Sequence, residues 1–317
     1  RMGAILPGIY NFFVGNAFLA GLLKKMLGFA PKRSIPLLYK TTLRSWSRKN
    51  TGTGYRMPGT GAANQSSGIR RQVYLFADEF TNYNDAEIGI TAIKLLQSLG
   101  YEVIIPKHAF SGRTFLSKGL VRKAAKLAKY NVAQLSGIVS EESPLIGIEP
   151  SGILTFRDEY PELAGDELKD RALELAKHCF TFEEFLAEEF KAGNISTAAF
   201  VSDNRKVIVH GHCYQKALAS VTPTLEMMAI PENYEVEEIK SGCCGMAGAF
   251  GYEKEHYELS MKVGEMVLLP AVRNAEEKTI VVAPGTSCRH QIMDGTGKKA
   301  FHPVEVLYQA LKTRDKN

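Results

Sequence analysis

The stretch Tyr234 to Gly245 reads YEVEEIKSGCCG, and the stretch Tyr101 to Gly112 reads YEVIIPKHAFSG. The two align without a gap at an offset of 133 residues, and their Tyr, Glu, Val, Lys and final Gly coincide. Self-similarity at a fixed spacing is typical of a repeated structural unit. The alignment therefore predicts that this chain contains one fold twice.

The match continues on both sides of that stretch. Upstream, VYLFADEF from Val73 matches VIVHGHCY from Val207, and downstream PLIGIEPSG from Pro144 matches TIVVAPGTSC from Thr279. Each unit is thus predicted to run strand, helix, strand, glycine turn, helix, strand. Short apolar strands that alternate with amphipathic helices are typical of a parallel sheet covered on both faces. We predict an α/β fold of two tandem repeated units, preceded by a basic helical arm.

This prediction divides the 317 residues into three parts. Residues 1–72 are a basic apolar arm that ends in a Gly/Ser/Thr-rich linker. Residues 73–200 are the first unit, and residues 201–317 are the second. Within them, residues 73–163 and 207–297 are expected to superpose with the same strand order.

Charge separates the arm from the two units. Residues 1–77 carry twelve Lys or Arg and no Asp or Glu, whereas the rest of the chain has a net charge of −7. A basic arm seeks an anionic surface, either an acidic protein or lipid headgroups. The uncharged stretch Gly3–Leu23, interrupted by Pro7 and four glycines, is expected to form helices packed against protein and not a membrane span. A cytoplasmic location follows, with peripheral contact at a membrane as an option.

Nucleic acid is not expected among the partners. The sequence has one Trp, its body is acidic, and it contains no motif that reads bases.

Five cysteines suggest metal binding. An odd number that includes an adjacent pair makes a poor disulfide framework. Cys179 lies in a stretch read as helical, LKDRALELAKHCFTFEEFLAEEF, and is expected to be an ordinary packed thiol. The other four follow predicted strands of the second unit, and the carboxyl ends of parallel strands meet at one edge of a sheet. Four thiolates suit zinc or an iron–sulfur cluster, and the predicted ligands are Cys213, Cys243, Cys244 and Cys288.

Glycine and histidine surround these thiols. Adjacent residues of an extended chain point in opposite directions, so Cys243 and Cys244 face one site only across a turn, which Gly245 supplies. Gly245 and Gly248 in CCGMAGAFG are expected to bring backbone N–H groups close to a cluster. His212 is the best placed histidine to bind the cofactor. It is read either as a ligand or as a hydrogen-bond donor to the ligands.

The motifs around the cysteines resemble those of a known family. HGHCYQKAL, SGCCGMAGAFGYEKEHYELSMKVGE, LLPAVR, APGTSCRHQIMDGTG and HPVEVL look like the CCG, or cysteine-rich, domain. That family includes heterodisulfide reductase B subunits and the iron–sulfur subunits of enzymes that oxidise glycolate, lactate and glycerol 3-phosphate. The closest likeness is to long fused FAD-linked oxidases with an iron–sulfur C-terminal part, of the D-lactate or D-2-hydroxyglutarate dehydrogenase type, and it extends over nearly the whole chain.

The resemblance implies an electron-transfer module of an FAD-dependent 2-hydroxy acid dehydrogenase. The cofactor would be an iron–sulfur cluster of the 4Fe–4S kind, and zinc or no metal is the alternative for protein purified in air. FAD would bind to an upstream domain, which would be a partner together with a ferredoxin-like domain and an electron acceptor. Because Arg1 precedes Met2 and these domains are not in the sequence, a fragment of a longer chain is expected, without catalysis of its own.

Two departures from the family pattern bear on the site. Cys288 is followed by Arg, His and Gln where the fullest motif has a fifth thiol, so a conventional four-cysteine cluster or zinc is expected. The first unit has Glu79 in place of Cys213, Phe110 and Ser111 in place of the pair, and Gly152 near the position of Cys288. That unit is therefore predicted to bind no metal and to act as a scaffold or as the surface that meets the flavin domain.

Two other functions stay open from the residues alone. One is a structural zinc module without redox chemistry, which would be colourless where iron–sulfur protein is brown. The other is thiol–disulfide chemistry at the adjacent pair Cys243–Cys244, for which His210 or His212 would have to be the activating base.

Overall fold

Parallel strands form one sheet in each unit of the computed structural model, which describes residues 6–50 and 71–312. The first sheet has the order β2-β1-β3-β4 and the second has the order β6-β5-β7. The predicted α/β class with two parallel sheets is confirmed. The strands are β1 (Gln72–Phe76), β2 (Glu102–Ile104), β3 (Leu145–Gly147), β4 (Cys179–Thr181), β5 (Arg205–Val209), β6 (Tyr234–Glu238) and β7 (Ile280–Val282).

The repeat extends to the strand register. Val73 of β1 pairs with Val103 of β2, and Val207 of β5 pairs with Val236 of β6, as the sequence alignment requires. Likewise Leu75 pairs with Ile146 in the first sheet, where Val209 pairs with Val282 in the second. The first three strands of the two sheets thus share order, direction and register.

Helices connect the strands and cover the sheets. In the first unit they are α4 (Glu79–Tyr83), α5 (Ala86–Ser98), α6 (Arg113–Leu116), α7 (Val121–Leu135), α8 (Pro150–Ile153), α9 (Tyr160–Leu163), α10 (Lys169–Lys177) and α11 (Phe182–Lys191). In the second unit they are α12 (Cys213–Leu218), α13 (Thr222–Met228), α14 (Tyr257–Glu265), α15 (Leu268–Asn274), α16 (Thr286–Thr296) and α17 (Pro303–Gln309). Single 3-10 turns occur at Leu154–Phe156, Asp166–Leu168, Thr197–Ala199 and Phe250–Tyr252.

Strand β4 corrects one prediction. Cys179, read as part of a helix, is the first residue of this strand and pairs with Leu145 of β3. Helix α10 ends at Lys177, and α11 begins after Thr181, whose side chain forms a capping box with Glu184. The strand forms because β3 offers an unpaired edge, which a local reading of the sequence does not contain. The thiol of Cys179 is fully buried and donates to the carbonyl of Leu175, as a packed thiol should.

The two units share a hydrophobic core. Leu75 and Ile146 of the first sheet belong to the same buried cluster as Val207 and Val282 of the second. Helix α5 packs against α17, and α11 packs against α13. Because burial of apolar surface is the main favourable term in folding, each unit contributes to the stability of the other.

The arm contains three helices, α1 (Pro7–Gly15), α2 (Ala17–Leu27) and α3 (Leu43–Asn50). Their presence agrees with the prediction, and Asn11 of α1 bonds to Leu38, but the described part of the Gly3–Leu23 stretch packs against protein only to a small extent. Only Val14 in α1 and Ala20 in α2 are buried. The exposed large apolar side chains of the two helices and their flanks are Leu6, Ile9, Phe12, Phe13, Phe18, Leu22, Met26 and Leu27. Most of the predicted linker, residues 51–70, lies outside the described residues.

A membrane span is the alternative to packing against protein for the apolar helices of the arm. Within the described parts of the chain, every helix is too short or too polar to span a bilayer.

Arg33 fastens the arm to the second unit. Its side chain is fully buried, with Nε donating to the carbonyl of Gly251 at 2.7 Å and Nη2 donating to Oγ of Ser260 at 2.8 Å. Nη1 forms an ion pair with Asp294 at 3.4 Å, and the guanidinium lies 4.9 Å from the ring centre of Tyr257. The middle of the arm is therefore held against the segment that follows Cys243 and Cys244.

Candidate metal centre

Four cysteines follow the ends of the three strands of the second sheet. Cys213 begins α12 after β5, Cys243 and Cys244 lie in the loop after β6, and Cys288 lies in the first turn of α16 after β7. The parallel direction of the strands places all three loops at one edge.

The thiols form one connected group. Cys213 interacts with Cys243, Cys243 with Cys244, and Cys244 with Cys288. The sulfur atoms of Cys244 and Cys288 and a ring nitrogen of His210 all lie within 4.8 Å of one another, and all three residues are buried. Cys213 and Cys243 are only partly buried. The group thus has a dry inner side and an accessible outer side.

Interactions between neighbouring thiols shift their pKa values in opposite directions. Interaction with Cys213 lowers the pKa of Cys243, and interaction with Cys244 lowers the pKa of Cys288. The same interactions raise the pKa of Cys213 and of Cys244. Because cysteine binds metal as the thiolate, a soft cation that binds here would displace the protons of the thiols.

Gly245 shapes the loop that carries the adjacent pair. Its N–H donates to the sulfur of Cys243 at 3.3 Å, and its φ is +95°. A Cβ at this position would lie 2.2 Å from the backbone oxygen of Ser260 in α14. Glycine is therefore required here by the backbone conformation and by the close approach of α14. Gly248 has a φ of +65°, and a Cβ there would meet Cβ of Ser117 in the first unit at 3.0 Å. Its role as a cofactor-binding residue stays a prediction.

Gly245→Ala should disrupt this loop. A left-handed backbone and an overlap with a main-chain oxygen together should lower the free energy of unfolding by about 2–3 kcal/mol. The variant should also bind metal weakly, because the N–H bond to Cys243 depends on the same turn. Gly297→Ala is the matched control: its φ is +71° but no atom lies within 4 Å of the added Cβ, so only a strain of about 1–2 kcal/mol is expected. Urea unfolding of both variants measures the difference, and equal losses would contradict the overlap argument.

The histidines divide into different roles. His212 caps α12: its Nδ1 accepts from the N–H of Tyr214 at 3.2 Å, and its Nε2 lies 4.0 Å from Oε1 of Glu149. A Cβ at Gly285 would lie 2.5 Å from the His212 ring and 3.2 Å from the sulfur of Cys288, so His212 does border the group. The ring grouped with two sulfurs, however, is that of His210. His210 and His212 are two residues apart on an extended segment, so their side chains point to the same side. The sequence pattern therefore does not show which of them lies beside the sulfurs.

Gln291 occupies the place of the absent fifth thiol, three residues after Cys288. Its Nε2 donates to the carbonyl of Cys244 at 2.8 Å and to that of Ser260 at 3.0 Å. This amide ties α16 to the cysteine loop and to α14. The position that departs from the family pattern is thus used to hold the ligand loops together.

The corresponding edge of the first unit is filled by hydrogen bonds. Oε2 of Glu79 accepts from the N–H of Ser111 at 2.9 Å and from its hydroxyl at 3.0 Å. A Cβ at Gly152, the counterpart of Cys288, would lie 3.1 Å from Cβ of Asp78. Among the described residues of this unit, no group of His, Cys, Asp or Glu has ligand atoms close enough to be grouped as a metal site.

The first unit nevertheless reaches into the site of the second. Oε2 of Glu149 accepts from the N–H of Thr286, the first residue of α16, at 2.8 Å. Asp85 accepts from the hydroxyl of Thr286 and pairs with Arg289 at 2.5 Å. Two carboxylates at the start of a helix suit its dipole. They fix the turn that carries Cys288, a function that sequence reasoning missed because the contact joins residues more than 130 positions apart.

Asp78, next to Glu79, should make stability depend on pH. Burial raises the pKa of its carboxyl from 3.8 to about 8. The unfolded chain loses this proton near pH 4 and the folded chain near pH 8. The contribution of Asp78 to stability is therefore full below pH 4 and falls as the pH rises to about 8.

Asp78→Asn should remove that dependence. The amide oxygen keeps the capping bonds from the N–H groups of Phe80 and Thr81, so the variant should gain stability relative to wild type between pH 4 and 8. Urea unfolding at a series of pH values measures the difference. Parallel curves for the two proteins would show that Asp78 is ionised in the folded state.

Dehydrogenase proteins of two kinds are similar to most of the chain. Over 310 residues it is 26% identical to D-2-hydroxyglutarate dehydrogenase of Escherichia coli K12, a match that covers 96% of this chain and 29% of that protein. Over 294 residues it is 29% identical to one subunit of the anaerobic glycerol-3-phosphate dehydrogenase of the same organism, a match that covers 92% of this chain and 69% of that subunit. The chain is a homologue of these dehydrogenase proteins.

The predicted resemblance to proteins of the D-2-hydroxyglutarate dehydrogenase and glycerol-3-phosphate dehydrogenase types is thereby confirmed. A D-2-hydroxyglutarate dehydrogenase of Pantoea ananatis is similar to this chain as well, at 24% identity over 307 residues. This chain spans 28% of that protein. No family model matches the chain.

Proposed function

We propose that this chain is an electron-transfer module of a dehydrogenase and that Cys213, Cys243, Cys244 and Cys288 hold its iron–sulfur cluster. The observation that carries the proposal is the connected group of four thiols at one sheet edge, with its two innermost members buried. Homology to two kinds of dehydrogenase over more than nine-tenths of the chain supports the redox role.

The donor set fits such a cofactor. Thiolates are the ordinary ligands of iron–sulfur clusters, and N–H groups near the sulfurs tune the potential. A backbone N–H bond reaches the sulfur of Cys243, from Gly245 at 3.3 Å. A bound cluster would supply one-electron transfer.

The protein's own residues would exclude water from the cluster, hold its ligands in place and leave one side open to a redox partner. Burial of Cys244 and Cys288 keeps water from the inner side, and Glu149, Asp85 and Gln291 hold the ligand loops in place. Cys213 and Cys243 are partly exposed, which gives a redox partner access to the outer side.

The finer assignment extends the same proposal. The electrons would come from a flavin that oxidises a 2-hydroxy acid, on an upstream FAD domain, through a ferredoxin-like domain. The arm, with its exposed apolar helices and its lack of acidic residues in positions 1–77, would contact those domains or the periphery of a membrane. The setting would be cytoplasmic.

Anaerobic purification followed by iron, sulfide and zinc analysis tests the proposal. A brown protein with iron and acid-labile sulfide in equal amounts, whose colour bleaches on reduction, is expected. A colourless protein that contains zinc and cannot be reconstituted with iron and sulfide would overturn it.

A structural zinc site is the second candidate. Cys244, Cys288 and His210 offer three ligand atoms within 4.8 Å of one another, and three such ligands with one more thiolate make a closed tetrahedral zinc site. Its expected signature is loss of folded protein on chelation without any change in redox behaviour.

A further inference from the structure

We propose that Nε2 of His210 is a metal ligand at this site, so that the donor set is a mixture of thiolates and one imidazole. The inference rests on the metal site of the proposed function and adds a ligand that the four-cysteine assignment does not contain. It holds for zinc and for iron, since imidazole suits both metals.

In the arrangement that we infer, Ser241 sets the tautomer of His210. The Ser241 hydroxyl lies 3.3 Å from the carbonyl of Ile239, to which it can donate, and 2.7 Å from Nδ1 of His210. An oxygen that donates its proton to Ile239 accepts from Nδ1–H. The imidazole then carries its proton on Nδ1 and a lone pair on Nε2. Histidine ligands typically show this arrangement, with the far nitrogen donating to an oxygen that fixes the ring.

The Nε2 atom meets no partner at hydrogen-bond geometry within the described part of the chain, although His210 is fully buried and its imidazole interacts with the thiol of Cys288. A buried imidazole nitrogen without a partner is costly, because it has lost its hydrogen bonds to water. One nitrogen of this ring lies within 4.8 Å of the sulfurs of Cys244 and Cys288, and Nδ1 is already occupied by Ser241. A cation held by the two thiolates would supply the missing partner of Nε2.

Comparison of the two units supports the same role. The register of the two sheets makes Phe76 of the first unit the counterpart of His210, directly after the residues Leu75 and Val209 that pair alike in the two sheets. Phe76 has no atom that could bind a metal, and its ring packs against His108 at 4.3 Å. The unit with four cysteines thus has an imidazole where the unit without them has a phenyl ring. His212, by contrast, already uses Nδ1 as a helix cap and turns Nε2 towards Glu149.

The experiment is X-ray absorption spectroscopy at the zinc edge of the full chain loaded anaerobically with one equivalent of Zn²⁺. Zinc–sulfur bonds of about 2.3 Å and zinc–nitrogen bonds of about 2.0–2.1 Å are distinguishable. Wild type should show sulfur neighbours and one imidazole nitrogen. His210→Ala should lose the nitrogen and bind zinc more than about tenfold more weakly, because removal of a residue that only supports a ligand already costs about 10–100-fold.

Two variants make the result specific. His212→Asn keeps a capping side chain on α12 and should retain the nitrogen. Ser241→Ala keeps His210 but removes the hydroxyl that holds the imidazole proton on Nδ1. The zinc–nitrogen bond should remain, and the affinity for zinc should fall by about 10–100-fold. Should His210→Ala fail to fold, wild type and these two variants still decide the question.

A wild-type spectrum with sulfur neighbours alone, or loss of the nitrogen in His212→Asn, would overturn the inference. Neither result would touch the electron-transfer proposal, which iron and sulfide analysis tests separately. If the protein takes an iron–sulfur cluster but no zinc, pulsed EPR of the reduced cluster replaces the zinc experiment. A strongly coupled histidine nitrogen that disappears in His210→Ala supports the inference. Absence of that nitrogen signal from wild type overturns it.

Discussion

Replacing Cys244 by serine should abolish iron binding. Cys244 is 3% exposed and is the thiol that links Cys243 to Cys288. A hydroxyl is a poor ligand for a soft metal. Loss of even an indirect contact to a ligand costs about 10–100-fold in metal affinity, so loss of this thiol should exceed about 100-fold. Iron and sulfide content after anaerobic reconstitution measures the effect.

Cys179→Ser is the matched control for that experiment. Cys179 is also fully buried, but it lies in β4 of the first sheet and its hydrogen bond to the Leu175 carbonyl is one that a serine hydroxyl can make. Its iron content should equal that of wild type. A full complement of iron in Cys244→Ser would show that the four-thiolate assignment is wrong, and thiol–disulfide chemistry at the adjacent pair would then take first place.

Arg33→Ala should be among the most destabilising single changes in the arm. The substitution leaves Asp294 without its partner at a position where its side chain is only 8% exposed, and it removes the hydrogen bonds to Gly251 and Ser260. Breaking a buried ion pair by removing one partner costs about 3–5 kcal/mol. The free energy of unfolding in urea should fall by that amount, and metal should bind less tightly because Ser260 and Gly251 flank the cysteine loop.

Lys32→Ala tests whether position or charge matters. Lys32 precedes Arg33, carries the same charge and is exposed, so its removal should change the free energy of unfolding by less than about 0.5 kcal/mol. Equal effects of the two substitutions would mean that the arm acts through its net charge and not through the buried guanidinium.

Much of the fold follows from local patterns in the chain. The repeated stretches predict two parallel sheets, and even the register of Val73 with Val103 and of Val207 with Val236 obeys the alignment. The positions of four cysteines after strand ends predict the edge at which they meet. These features are predictable because strand periodicity and glycine turns depend on neighbouring residues, and because strands that alternate with helices pair in parallel.

Other features depend on contacts between distant segments. Cys179 reads as helical because helix-forming sequence flanks it on both sides, and only the free edge of β3 makes it a strand. The arm helices are expected to pack against protein, yet the described structure leaves most of their apolar side chains exposed, and Arg33 and its neighbours bring the arm onto the second unit.

At the site, the sequence and the tertiary structure determine different properties. The sequence determined which thiols and which glycine turn are present, and through them the class of chemistry. Only the tertiary structure decided that His210 joins the sulfurs while His212 caps a helix, and that Glu149, Asp85 and Gln291 hold the ligand loops. The physical reason is that two histidines two residues apart leave an extended strand end on the same side. Hydrogen bonds to Ser241 and Tyr214, which arrive from another loop and from the next helix, then give each ring its role.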